Sequence, residues 1–164
     1  MIPVGNPIER GRGVKEIAIK LKLSNLKLRN FTGYVSVTIK EESVQDGMLI
    51  IEKGKIIGAT YEYLKFGKIF SEKNALILVL NAFVADNGIV DIFELSDNEL
   101  SGLKSELKEG LLRDPIELTE NRINEIVPGS FRADYEGKVK ILVHAEDRET
   151  ILSKFRMKEL AREE

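Results

Sequence analysis

The chain has 164 residues, of which 43% are hydrophobic and 32% charged, with no cysteine, one histidine and a formal net charge of −2. That length suits one ordinary domain with a small appended unit, and that balance describes a globular chain with a heavily charged surface. The missing cysteines exclude disulfide scaffolds, thiolate catalysis and zinc sites built from Cys and His. The charge is unevenly spread. Residues 1–40 hold eight basic side chains against Glu9 and Glu16, so this stretch carries +6 and the remainder −8. The longest apolar run, residues 75–84, is far shorter than the roughly 20 residues that span a bilayer. With no apolar signal region at the start, a cytoplasmic protein that does not insert into membranes is expected. Abundant Lys, Glu and Arg with no cysteine fit a thermophilic source.

Pro3, Pro7, Gly5, Gly11 and Gly13 predict an extended lead-in over residues 1–13 without regular structure. Residues 14–28 carry two periods: Val14, Ile17, Ala18 and Leu21 fit a helical stripe, whereas Ile17, Ile19, Leu21 and Leu23 alternate as a strand. The scarcity of β-branched residues favours helix. From Tyr34 the alternation is cleaner, with Tyr34, Ser36 and Thr38 on one face and Val35, Val37 and Ile39 on the other, which predicts a strand. Asp46-Gly47 is read as a hairpin turn, 48–52 as a central strand, Lys53-Gly54 as a tight turn and 55–63 as the returning strand. Gly58 inside that strand predicts a bulge or a close neighbour, with the helix that follows Ser71 as the expected neighbour.

Ser71 is the expected N-cap of a helix reaching residue 84 or 85, apolar nearly all round and so buried on the sheet. Asp86-Asn87-Gly88 ends it, and 89–95 is a fourth strand. Ser96 and Glu99 form a capping box before Leu100, Leu103, Leu107 and Leu111, a helix closed by Gly110 and Asp114-Pro115. A shorter helix is expected over 119–127, a fifth strand over 138–145, and a last helix from Asp147 with Ile151, Leu152 and Phe155 as its apolar stripe. The expected fold is α+β: a mainly antiparallel sheet of about four strands covered by helices, with a C-terminal helical and strand–helix extension. Its organisation is a main domain over 1–127, comprising the lead-in, a sheet-plus-helix core over 14–95 and a helical part over 96–127. A C-terminal unit over 128–164 packs on the first or on a second subunit.

Chemistry is hard to find. His144 stands alone, Asp86, Asp91 and Glu94 match no Ca²⁺ loop, and the glycines form neither a Walker nor a dinucleotide fingerprint. No catalytic, cofactor-binding or metal residues and no cofactor are therefore assigned. Tyr34, Tyr61 and Tyr63 could stack on bases, but packing explains them as well. Two binding surfaces are assigned: Ile151, Leu152 and Phe155, flanked by Arg148, Lys154, Arg156, Lys158 and Arg162, for a partner or second subunit, and Arg10, Arg12, Lys20 and Lys22 for an anion.

The segments Phe31-Thr32-Gly33-Tyr34-Val35, Asp46-Gly47-Met48-Leu49-Ile50-Ile51, Gly54-Lys55-Ile56-Ile57-Gly58-Ala59 and Gly88-Ile89-Val90-Asp91 resemble an uncharacterised archaeal family of unknown function over residues 14–95. Their order is more distantly similar to the PatA-type N-terminal domain found beside bacterial response regulators and GTPase-linked signalling proteins. Neither resemblance supplies catalytic residues; what they imply is a signalling or scaffolding module. The expected function is a non-enzymatic interaction module, as a homo-oligomer or with a protein partner. Binding of nucleic acid or another anionic surface through the basic first 40 residues is the alternative, and a small carboxylate-based enzyme the third reading.

Overall fold

In the computed structural model, which describes residues 1–146, the chain divides into two units, Met1–Phe131 and a second beginning at Arg132. The first is built on a seven-stranded sheet in which every pairing is antiparallel. In chain order its elements are β1 (Asn6–Gly13), α1 (Ile19–Leu28), β2 (Gly33–Lys40), β3 (Val44–Glu52), β4 (Lys55–Tyr63), β5 (Lys68–Ser71), α2 (Glu72–Ala82), β6 (Gly88–Glu94), α3 (Asp97–Glu106), β7 (Leu111–Glu117) and α4 (Glu120–Ile126). The strands lie in the order β1-β6-β2-β3-β4-β5, and β7 pairs with the other end of the β4 edge that β5 occupies.

The centre of the sheet follows the sequence alternation. Val35 pairs with Leu49 and Leu49 with Ala59, while Val37, Gly47 and Tyr61 form the next row, so these residues share one face. α2 lies across that face and packs on β2, β3 and β4. It is as apolar as its sequence predicts: Ala75, Leu76 and residues 78–82 are all buried. Tyr34, Met48, Ile50 and Ile57 point to the opposite face, where Leu95, Leu100 and Leu103 complete a second core with Phe93, Leu107 and Leu111 at its margin. Lys53 and Gly54, both at positive φ, make the two-residue turn between β3 and β4, as expected from their sequence.

α3 begins at the capping box that Ser96 and Glu99 predict. The Glu99 backbone N–H donates to Ser96 Oγ at 3.3 Å, and the Ser96 N–H donates to Glu99 Oε2 at 2.8 Å. An N-cap of this kind is worth about 1 kcal/mol. Ser96→Ala is therefore expected to lower the unfolding free energy by about that amount in urea denaturation, with Ser96→Asp retaining most of it.

Several expectations are corrected. The sheet has seven strands rather than about four, because three half-exposed edge strands lack the apolar alternation that marks the centre. The lead-in lacks regular structure only over residues 1–5: Asn6–Gly13 is β1, paired with β6 across two register shifts. Pro7 is tolerated there because the strand is at the sheet edge. Gly11, at φ +60°, leaves the ladder and donates its N–H to Asp91 Oδ1 at 2.6 Å. The ambiguous segment 14–28 is helical only from Ile19. Asp46-Gly47 is not a turn. Both lie inside β3, and the β2–β3 connection is residues 41–43.

The neighbour of Gly58 is not α2 either. A Cβ at position 58 would stand 3.0 Å from the Gly110 carbonyl oxygen, and one at Gly110 would stand 3.0 Å from the Ala59 carbonyl oxygen. Two facing glycines thus let the chain after α3 approach the β4 edge. The predicted bulge is present beside Gly58, between the Ile50 and Ile51 pairings. That approach also ends α3 at Glu106, short of Leu111: Leu107 leaves the helical region and Leu111 starts β7. In the second unit residues 134–146 are helical, which overturns the strand expected over 138–145. Tyr135, Val139 and Val143 recur at the i, i+4 spacing of a helix, and that period wins over the short alternation. The last helix expected from Asp147 lies outside the described residues.

Candidate functional site

An open groove of about 730 Å³ lies between α2, β7 and α4. That size is within the range of ligand-binding clefts. Its floor is apolar: Leu76, Ile77 and Leu80 from α2, Leu112 and Ile116 from β7, and Ile126 from α4. Its rim is charged and of both signs, with Glu72 and Lys73 on α2, Arg113, Asp114 and Glu117 on β7, and Arg122 on α4. Leu76 and Leu80 are buried, one turn apart, whereas Ile77 beside them is 44% exposed.

Local chemistry shapes this groove. β7 pairs with β4 through Ile116 and Glu117 at one end and Leu111 at the other, and the pairing is interrupted between them. The residues that bulge out include Arg113, Asp114 and Pro115, all exposed. Pro115 has no N–H and the bulge breaks the ladder, two devices that stop an edge strand from pairing with another strand. At the mouth of the groove Glu72 adopts φ +53°, a left-handed conformation uncommon for a residue with a side chain. Ser71, the expected N-cap beside it, makes no side-chain capping bond. α4 is held by an N-cap, Thr119 Oγ1 accepting from the Arg122 N–H at 3.3 Å.

The four cations assigned to anion binding lie on two elements. Arg10 and Arg12 are exposed on edge strand β1, and Lys20 and Lys22 are on α1. Arg12 lies 3.6 Å from Glu16, and Lys22 Nζ donates to Glu9 Oε1 at 2.7 Å. That hydrogen bond holds the Glu9 carboxyl below the usual carboxylate range. Both acidic side chains of the basic first 40 residues are thus placed on two of its cations. Arg10 and Lys20 have no ion-pair partner among the described residues. The partner surface assigned to Ile151, Leu152 and Phe155 lies outside the described residues.

The tyrosines are structural. Tyr61 and Tyr63 are buried, and the Tyr61 hydroxyl donates to Gln45 Oε1 at 2.7 Å. Tyr34 stacks on Phe93 with ring centroids 5.2 Å apart; burial, with Asp91 adding to it, pushes its hydroxyl pKa up. Base stacking on these three rings is therefore closed off. Asp91 accepts from Gly11 and Asp86 pairs with Lys15 at 2.8 Å. Among the described residues no three His, Asp or Glu side chains are grouped so as to hold a metal ion. His144 is exposed in the 134–146 helix. No helix among the described residues is long and apolar enough to cross a membrane.

An antiparallel sheet with helices on both faces and an open groove with an apolar floor at one edge defines an α+β protein. Residues 1–107 match the model of a family described as an uncharacterised protein conserved in archaea (DUF2226), and the chain belongs to that family. No curated protein and no solved structure matches it. The match extends beyond the 14–95 resemblance to take in β1 and α3. It includes the α2 wall of the groove and stops before β7 and α4.

The groove was not visible in the sequence because it depends on β7, whose Asp114-Pro115 pair reads as a helix terminator. Its usable signal was Ile77. This is an exposed apolar residue on a helix whose other aliphatic side chains from 75 to 82 are all buried.

Proposed function

We propose that this protein is a non-enzymatic interaction module that works as a homodimer in the cytoplasm, and that the groove between α2, β7 and α4 is the dimer contact. The observation that carries this reading is the groove's composition, an apolar floor inside a charged rim. A two-fold interface presents the same patch twice and must therefore complement itself. A rim holding Glu72 and Asp114 together with Lys73, Arg113 and Arg122 can do so, because each sign finds its opposite across the axis. Pro115 and the β7 bulge disfavour continuation of the sheet between copies, so the contact is by side chains. The order of turns and strands that resembles the PatA-type N-terminal domain supports a scaffolding or signalling role.

Ile77→Glu tests it. The residue is 44% exposed, so the substitution leaves the fold intact, and it places a charge at the centre of the contact. Sedimentation equilibrium is expected to show a dimer for the unaltered chain and a dissociation constant at least about a hundredfold weaker for the variant, the loss typical of removing a central anchor. A monomer at every concentration, or a dimer indifferent to Ile77→Glu, overturns the reading.

A further inference from the structure

α1 presents a second unfilled surface, on the side facing away from the core. Ile19, Leu23 and Leu26 turn inward and are buried. On the opposite side Leu21 is 63% and Leu28 83% exposed. They are seven residues apart, so they stand in line along the helix, about 10 Å from one another. Single exposed leucines are ordinary on protein surfaces. Here, however, cations line both flanks. At 100° per residue Lys20 and Lys27 fall on one side of the leucine line, and Lys22 and Arg29 on the other. From residue 17 to residue 40 the chain has five basic side chains and no acidic one. Lys22 and Lys27 have ion-pair partners in Glu9 and Glu117, whereas Lys20 and Arg29 have none among the described residues.

Two exposed leucines, with the polar Ser24 and Asn25 beside them and cations on either flank, are complementary to a layer with anionic headgroups above and acyl chains below. Nucleic acid would use the cations and leave the leucines in water. Tyr34, Tyr61 and Tyr63, the rings that could have stacked on its bases, are committed to the core. We infer that α1 docks the protein peripherally on a bilayer rich in anionic phospholipid. Leu21 and Leu28 enter the headgroup–acyl boundary, and Lys20 and Arg29 lie against the phosphates. This inference does not rest on the dimer reading, and either can fail alone.

The chain has no tryptophan, so Leu28→Trp supplies a single emission reporter at the proposed contact. The probes are vesicles of equal parts phosphatidylglycerol and phosphatidylcholine, and vesicles of phosphatidylcholine alone. Emission is expected to shift to the blue and gain intensity on the anionic vesicles, with no change on the neutral ones. In co-sedimentation of the otherwise unaltered chain, Leu21→Ser with Leu28→Ser is expected to weaken partitioning at least about tenfold. Lys20→Glu with Arg29→Glu is expected to do the same, and both pairs should keep the parent melting temperature because all four residues are exposed. Absence of binding at low salt overturns the inference. So does binding that depends on the cations but not on the leucines, which marks a general polyanion surface, and so does a sedimentation shift showing that a second copy covers Leu21 and Leu28.

Discussion

Gly47→Asn is expected to destabilise the protein by about 3 kcal/mol, read in a thermal melt of the full chain as a midpoint about 6–12 °C lower. The sequence Asp46-Gly47 is a strong hairpin-turn signal, and in a turn asparagine replaces glycine at little cost because it tolerates the left-handed conformation. The structure places Gly47 in the middle of β3 instead, opposite Val37 on one side and Tyr61 on the other. A Cβ there would stand 2.7 Å from Tyr61 Cδ2 and 2.9 Å from Val79 Cγ2, both too close for any real contact. Neither neighbour can retreat cheaply. The Tyr61 ring is buried and held by its hydroxyl bond to Gln45, and Val79 is a fully buried residue of α2. The missing side chain is what allows α2 to sit close on the sheet. A melting midpoint unchanged by Gly47→Asn would return Gly47 to a turn and shift the register of β3.

The same glycine shows where sequence reasoning reaches and where it stops. Turn chemistry reports that a glycine is needed without saying whether a backbone angle or a neighbour needs it. At Lys53-Gly54 the angle was the reason, whereas at Gly47, Gly58 and Gly110 it was a neighbour distant in sequence. Elements whose signals are local were legible: the Val35, Val37 and Ile39 alternation, the all-apolar α2, the Ser96–Glu99 box and the short helix over 119–127. The three missed strands share a different property. β1, β5 and β7 are edge strands whose side chains are half-exposed or exposed, so burial imposes no alternation on them, and Pro7 and Pro115 are allowed because an edge leaves backbone donors unused. Both unfilled surfaces suffered accordingly. The groove needs β7, and the α1 surface was read only as charge. Charge counting could not show that Glu9 and Glu16 sit on Lys22 and Arg12, or that the helix turns Leu21 and Leu28 outward.

Leu103→Ala is expected to have the other large effect, a loss of about 3–4 kcal/mol in urea denaturation, within the usual range for truncating a fully buried leucine. Leu103 is 0% exposed and belongs to the core on the sheet face opposite α2, among Tyr34, Met48, Ile50 and Ile57. α3 has only Leu100 and Leu103 buried along its ten residues. Its other anchors include the Ser96 cap, the Met1 amino terminus on Glu106, and the Lys104–Glu52 pair at 3.0 Å, which is about a third exposed at each side chain and contributes at most about 1 kcal/mol. Removing Leu103 therefore takes away a large share of what holds the helix, and it leaves a cavity against three central strands that cannot close without shifting their pairing. The loss is expected to be global, with amide exchange accelerated in β2 and β3 as well as in α3. Because α1 and α2 do not contribute to this core, the folded fraction of Leu103→Ala should dimerise and bind anionic vesicles as the parent does. A cost below about 1 kcal/mol, or faster exchange confined to α3, would mean that α3 is a detachable cover, and that β2 and β3 draw their stability from the α2 face alone.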